Sequence, residues 1–542
     1  MKMKNKIFLL ASASAALLFG SSCTKNFQTI NTDPNAIPLS SVHFSSLLTN
    51  AQLTTSGNSD GNAYEDWRAN LIYAGCMIQH ISSTVGYWDG DKYFFNAAYM
   101  SSYWDQNYGP QQNGNNPLLN TNSSPVQNIV EVVTHTKTDT AQQNLYNIAR
   151  IFKAFMFQRM TDMYGDCPYS QAGQGYLSGI TSPVYDKQQA IYNDLLNELS
   201  DAASKLNVSV NTVKEADLVY AGDAAKWKRF AYSEMVRVAM RLSKVDPTTA
   251  QKWVQAAVAG GVFTGNGDNA ILKHQPAAPN GAGSQVANGS GSVLAQIDNT
   301  AAHLSKTFVD YLNATHDPRL SYFGTLIADP SNLTDLGDDT ASHQLGQPNG
   351  FDLGGGSTDL SHASNWPGNQ SKYSYVNRNT YARNDAPTFF LTYAETEFLL
   401  AEAAQRGWIT GTSASTYYTN GVTGAMDQMG QVAKVGAAPA TTLVTAYLLA
   451  NPLTPGSELK IINSQYWVAS FLDETEAWAN WRRSGFPVLI PVNYPGNATN
   501  GTIPRRYVYS TVEAAANATN YSSAVSGLAD GDRMTSRVWW DK

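Results

Sequence analysis

Charge is what this chain has least of. Only 15% of its 542 residues are charged, against about 25% in an ordinary soluble domain. The 43 acidic and 36 basic residues leave a net charge of −7. No basic stripe stands out among them, so the footprint of a nucleic-acid binder is missing and no nucleic-acid partner is expected. Cysteine is scarce as well, with Cys23, Cys76 and Cys167 alone. A disulfide framework is not what holds such a chain together, because this length buries a sizeable core without staples. The eight histidines are scattered, no HExxH occurs, and no glycine-rich phosphate loop is present. Zinc-hydrolase and phosphate-loop chemistry therefore have no motif behind them. Past Cys23, no apolar run is long enough to span a bilayer.

Polarity comes instead from Asn, Ser, Thr, Gln, Gly and Tyr, beside 12 Trp, 29 Tyr and 19 Phe. Uncharged hydrogen-bonding groups next to aromatic faces suit a neutral, hydroxyl-rich ligand.

The amino terminus has its own pattern. Lys2, Lys4 and Lys6 precede the apolar run Ile7 to Gly20, and small residues Ser21 and Ser22 lead to Cys23. A basic start, a short apolar stretch and small residues read as a secretory signal, too short for an ordinary spanning helix. A cysteine at that point reads as a lipoprotein signal over 1–22, with Cys23 the lipidated first residue of the mature chain. Several acyl chains anchor stably where one is marginal, at about 0.8 kcal/mol per CH2. Residues 23–40 then form a tether, punctuated by Asp33-Pro34-Asn35.

The body, 41–542, is expected to be mainly α. In "NLYNIARIFKAFMFQRMTDMYG", Leu145, Ile148, Phe152, Phe155 and Met163 form one apolar stripe, and Gly165 and Pro168 stop the helix. A second helix runs from Tyr185 to Leu206 with Asp186 as its cap. A third starts from Asp223, contains Trp227, Phe230, Met235, Val238 and Leu242, and is closed by Pro247. Further helices are expected at 65–82, 248–259, 299–313, 387–408, 413–430 and 458–481. The pattern is one of antiparallel helix pairs, tetratricopeptide-like, in a superhelical scaffold over 41–263 and 387–484. Segments 105–126, 264–298 and 327–386 are rich in Gly, Asn, Ser and Pro. Loops of that length are uncommon inside a compact body unless functional. Residues 264–386, with the C-terminal segment 485–542, are read as a loop-rich ligand-binding lobe.

Two loops carry the positive case for binding. "STVGYWDGDKYFFNAAY" bunches Tyr87, Trp88 and Tyr93 beside Asp89 and Asn96, and "NWPGNQSKY" supplies Asn365, Trp366 and Tyr373. A sugar ring has an apolar face and a polar rim, which an indole or phenol flanked by amides and carboxylates can match. Other polar groups have plainer readings. Asp166 of "YGDCPY" bonds nearby amides at a helix end. Glu395, Glu397 and Glu402 share one helix, whereas glycosidase carboxylates face each other across a cleft. Arg482 and Arg483 follow Trp478 and Trp481 at a helix terminus. Asp89 with Asp91, and Asp338 with Asp339, are calcium-type donors without an EF-hand loop around them. No cofactor is expected and a calcium requirement is left open. Cys76 and Cys167 are read as two buried thiols in preference to a disulfide.

Several fragments, in order, resemble the SusD/RagB family of outer-membrane lipoproteins. They are "INTDPN" just after Cys23, "RIFKAFMFQRMTDMYGDCPYSQA", "AAKWKRFAYSEMVRVAMRLSKVDP", "YAETEFLLAEAAQRGW", "YYTNGVTGAM" and "WANWRRSGFPVL". The resemblance implies a helical scaffold cradling a loop-rich lobe, anchored by lipid at the outer membrane and exposed at the cell surface. It also implies a non-enzymatic catcher of nutrient, usually glycan, working with a SusC-like TonB-dependent transporter. The alternatives are a surface glycosidase on an α-rich frame and a transporter lid that binds peptide or another nutrient. "TKNFQ" after Cys23 lacks the acidic residues that surface-exposed members often carry.

Overall fold

In the computed structural model, residues 41–57, 65–109, 124–276 and 286–542 are described. Cys23 and the tether lie outside them. The longer helices are α1 (Phe44–Thr55), α2 (Pro125–Thr136), α3 (Gln143–Tyr164), α4 (Gln188–Lys205), α5 (Ala224–Arg241) and α6 (Pro247–Gly260). They continue with α7 (Lys306–Ala314), α8 (Tyr393–Gln405), α9 (Ala414–Val432), α10 (Thr441–Ala450), α11 (Glu458–Ala469), α12 (Glu474–Ser484) and α13 (Ala518–Ser526). Consecutive helices pack as pairs, α2 on α3, α3 on α4, α4 on α5 and α5 on α6, then α8 on α9 and α11 on α12. This is the expected mainly α, tetratricopeptide-like scaffold. Helices α5 and α8 join its two halves.

Local chemistry fixes the helix ends. Asp223 caps α5, accepting from the amides of Ala225 at 2.9 Å and Lys226 at 3.1 Å. Thr392 and Glu395 form a reciprocal capping box on α8. Gly165 ends α3 with φ of 85°, a conformation only glycine adopts without strain. Other boundaries differ from the sequence reading. Asp186 does not cap α4: it lies in a short strand and accepts from the amides of Tyr169 and Ser170. Asp166 reaches across instead and takes the first-turn amide of Gln188 at 2.9 Å. Pro247 opens α6 and does not close α5, since its missing N–H costs nothing in a first turn. The stretch 458–481 is broken where Leu472 turns left-handed, with φ of 68°. Residues 65–82 hold a π-helix, Glu65–Gly75, buried on most sides, followed by a strand.

The remaining strands are short and join distant segments. β1 (Ile81–Ser82) pairs β5 (His303–Leu304), β2 (Cys167–Pro168) pairs β3 (Tyr185–Asp186), and β4 (Ala270–Leu272) pairs β8 (Thr388–Leu391). β6 (Gly324–Thr325) pairs β7 (Tyr375–Val376), and all four pairs are antiparallel. Two of the expected helices are therefore shortened, because 299–305 contains β5 and 387–392 contains β8. Cys76 and Cys167 are both buried free thiols.

Beside a ring cluster of Phe152, Phe155, Phe230 and Phe390, the scaffold buries ion pairs. Arg241 of α5 reaches Asp162 of α3 at 3.1 Å and Glu476 of α12 at 2.5 Å. Arg237 lies 3.2 Å from Glu234 and 3.3 Å from Glu395. Burial alone would raise Glu402 and Glu476, but Arg483 and Arg241 overcome it and hold each carboxyl at about 2 against the usual 4.5. For Glu234 burial outweighs Arg237, and the group rises to about 7. A depressed carboxylate contributes stability above its unfolded pKa and loses it as pH falls toward the folded value. A raised one contributes below its unfolded pKa and loses it as pH climbs through the folded value. Urea unfolding across pH should therefore give a stability maximum near pH 4.5, falling toward 2 as Glu402 and Glu476 take up protons and falling toward 7 as Glu234 ionises. Flat stability from pH 4.5 down to 2 would contradict this account of Glu402 and Glu476.

Candidate ligand face

The nominated loops occupy neighbouring positions. The chain leaves the π-helix and β1, runs through Thr84 to Tyr87, and is pinned by Asp91. That carboxylate is fully buried and accepts from Asn349 Nδ2 at 2.6 Å, Gly350 N at 2.7 Å and Ser83 N at 3.3 Å. Burial raises its pKa against the opposing pull of Lys92, 3.7 Å away. Lys92 in turn donates to Ser83 O at 2.9 Å. Gly90 passes so close to the π-helix that an added Cβ would lie 2.2 Å from Ile72 O. The second loop joins the first through Gln370, whose Nε2 donates to Thr84 Oγ1 at 2.9 Å and to Gln347 at 2.9 Å.

Asp298, which follows a π-helical turn, Val293–Ile297, organises the aromatic residues. Its Oδ2 accepts from Trp88 Nε1 at 2.6 Å and from Trp67 Nε1 at 3.2 Å, while Oδ1 accepts from the Tyr87 hydroxyl at 2.6 Å. Trp67 meets Tyr87 edge-on, with centroids 6.3 Å apart. Burial and the Asp298 carboxylate both raise the Tyr87 hydroxyl, which keeps it a donor. Tyr87 is 41% exposed, whereas Trp88 is 0% exposed. One carboxylate thus orients a solvent-open phenol, a half-buried indole and a core indole.

The other nominated residues divide by burial. Tyr93 is fully buried in a left-handed conformation, φ of 55°, and its hydroxyl accepts from Val492 N at 3.2 Å. Asn96 donates to Asp89 at 2.8 Å and caps the next turn through Tyr99 N. In the second loop Tyr373 is fully buried against Leu360 and Ala363, with half-buried Trp366 packed on the same cluster. Asn365 donates to Gly346 O at 2.8 Å. Trp88, Tyr93 and Tyr373 thus turn their rings into the core and correct the expectation of free stacking faces there. Asp89, Asn96 and Asn365 tie the loops, and Tyr87 and Trp366 are the nominated rings that reach solvent. Trp67 and Asp298 were not anticipated from the sequence. Trp67 is hidden in a helix-like run, and Asp298 in a stretch with no assigned element.

The plainer readings hold for the remaining charges. Glu395 caps α8, Glu397 accepts from Asn420 at 2.9 Å, and Glu402 is chelated by Arg483. Arg482 is buried between Trp478 and Trp540, donating to Asp162 O and Arg505 O. Asp338 pairs with His343 at 2.6 Å. Among the described residues no three His, Cys, Asp or Glu side chains gather as metal ligands, and no helix is long and apolar enough to cross a membrane.

Paired helices thus carry ring-bearing loops that are tied to one another through Gln370 and Asp91. The chain belongs to the SusD-like family, described as "Starch-binding associating with outer membrane", whose model matches residues 35–510. It is similar to the structure of a chitin-binding protein, at 31% identity and TM-score 0.77, covering 92% of this chain and 100% of that one. A Bacteroidetes SusD-like structure aligns at 25% identity and TM-score 0.78, with 92% and 100% of the two chains covered. A chitin-binding SusD homologue from Flavobacterium johnsoniae shares the fold at 22% identity and TM-score 0.70, over 92% and 98%. No curated protein matches the chain.

Proposed function

We propose that this protein is a non-enzymatic catcher of oligosaccharide, held at the outer membrane through lipid on Cys23. It would pass its ligand to a SusC-like TonB-dependent transporter. The observation that carries the reading is the Asp298 cluster: a phenol left open to solvent, locked in orientation by a carboxylate and edged by Trp67. A preset ring offers its face to the C–H side of a sugar without first losing rotamer freedom. The Trp366 loop, bonded to the first loop through Gln370, extends the face along a chain of more than one sugar. Half-buried Trp366 and Trp67 keep it shallow, as a carrier that releases its cargo requires. Family membership and the likeness to a chitin-binding protein support glycan, with chitin oligosaccharides the first to test. The three glutamates of α8, the glycosidase candidates in the sequence, are held by a cap, an amide and an ion pair, which favours binding over cleavage there.

The test is calorimetric titration of the full chain with a glycan panel. Tyr87→Ala and Trp366→Ala are each expected to weaken the best glycan about tenfold, the scale of one lost aromatic anchor. Unchanged affinity in both variants would remove the face from the proposal. Radiolabelled palmitate that fails to enter the protein, with no loss in a Cys23→Ala variant, would remove the anchor.

A further inference from the structure

A second cavity lies inside the scaffold, lined by side chains that the aromatic face does not use. It has a volume of about 100 Å³ and an open mouth, between the end of α1, the start of the π-helix, α3, β8 and the α11–α12 junction. Among the described residues, four buried polar atoms on its wall have no partner: Thr55 Oγ1, Tyr103 Oη, Arg159 Nε and Gln428 Oε1. Thr55, Tyr103 and Gln428 are each more than nine-tenths buried. Buried polar groups in native proteins are almost always bonded, so four at one cavity point to a polar occupant.

The charge on the wall is also unbalanced. Arg159 spends its guanidinium on Asp473, Nη1 to Oδ1 at 2.7 Å and Nη2 to Oδ2 at 2.5 Å. Glu65 and Asp66, next to each other at the start of the π-helix, have no cationic partner within 4.0 Å among the described residues. Among the described residues Glu65 receives Asn107 Nδ2 at 3.1 Å, and Asp66 receives the amide of Ser290 at 2.8 Å together with that residue's side chain. Burial raises both carboxyls, Asp66 to about 7. Loss of water is the main cause, and the charge of Arg159, shared with Asp473, offsets it only in part. Tyr381, Phe389 and Phe471 supply apolar wall.

We propose that this cavity binds a compact, polyhydroxylated primary ammonium, an amino sugar whose nitrogen is free. The ammonium would donate to Glu65 and Asp66. The hydroxyls would accept from Arg159 Nε and donate to Gln428 Oε1, while the ring lies against the aromatic wall. This site shares no residue with the Tyr87 face and does not depend on the reading given to that face.

The probe is D-glucosamine, titrated calorimetrically into the full chain near neutral pH, with D-glucose and N-acetyl-D-glucosamine as neutral controls. Saturable glucosamine binding is expected, tighter than either control by about tenfold, the scale of one charge-assisted contact. Asp66→Asn and Glu65→Gln should each reduce it by a similar factor, and circular dichroism of both variants checks that either loss occurs in a folded protein. Tyr87→Ala, which tests the outer face, should leave glucosamine binding as it was. Absent glucosamine binding would overturn the proposal, as would equal binding of the neutral sugars. Glucosamine binding that survives both carboxylate variants, or is lost with Tyr87→Ala, would also overturn it.

Discussion

Arg483→Met should destabilise the protein by about 3–5 kcal/mol, the range seen when one partner of a buried ion pair is removed. Arg483 is 1% exposed, and both of its terminal nitrogens lie 2.7 Å from the two oxygens of Glu402. It also donates to Asn480 Oδ1 at 3.0 Å and to Asn463 Oδ1 at 2.9 Å. Its removal would leave Glu402 buried with only Arg406, a partly exposed partner at 2.9 Å, and Asn463. The cost is that of an orphaned charge more than of a lost attraction. A double variant, Arg483→Met with Glu402→Leu, should therefore recover most of the stability, because an apolar pair of similar volume often equals a buried ion pair. Urea unfolding of the parent and both variants checks this. If the single variant matches the parent, the pair is not what joins α8 to α12.

The same pair shows what could be read from sequence. Glu402 and Arg483 were each legible as structural, since a glutamate inside an apolar helix and an arginine at a helix end have ordinary uses. That they use each other was not legible, because 81 residues separate them. Helices with local signals were read well: the α5 cap at Asp223 and the α3 stop at Gly165 depend only on neighbouring residues. The break between α11 and α12 was not, because Leu472 carries no preference for its left-handed turn. That turn is held from elsewhere, by Asn70 Nδ2, which donates to Leu472 O at 2.9 Å.

Burial decided the candidate site in the same way. Rings in polar loops were visible, and of those nominated Tyr87 and Trp366 reach solvent. The sequence does not say which ring of "GYWDGDKY" faces water, because Trp88 is drawn inward by a carboxylate 210 residues later. Nor does it mark Trp67, which comes to the face from the π-helix. The region 264–386 read as two unassigned segments, 264–298 and 327–386, around one helix at 299–313. It is tied to the scaffold at a few fixed points, β1 with β5, β4 with β8, and Asp91 with Asn349 and Gly350.

Asp298 is where stability and binding meet, and Asp298→Ala should damage both. The fully buried Trp88 N–H would lose its acceptor, at a cost of about 1–3 kcal/mol for that donor alone. Tyr87 and Trp67 would lose the same anchor, and Tyr87, already 41% exposed, would regain rotamer freedom. Glycan affinity should then fall about tenfold even though no ring has been removed, since the ring must be ordered again at each binding event. Tyr87→Ala should weaken binding with little change in unfolding free energy, because its ring is largely at the surface. Asp298→Asn should fall between parent and alanine, as its amide oxygen can still serve one of the three donors. Denaturant unfolding and calorimetry on the three variants separate the two effects. An Asp298→Ala protein with parental affinity would mean that the carboxylate only fills the core, and that the orientation of Tyr87 does not matter to the ligand.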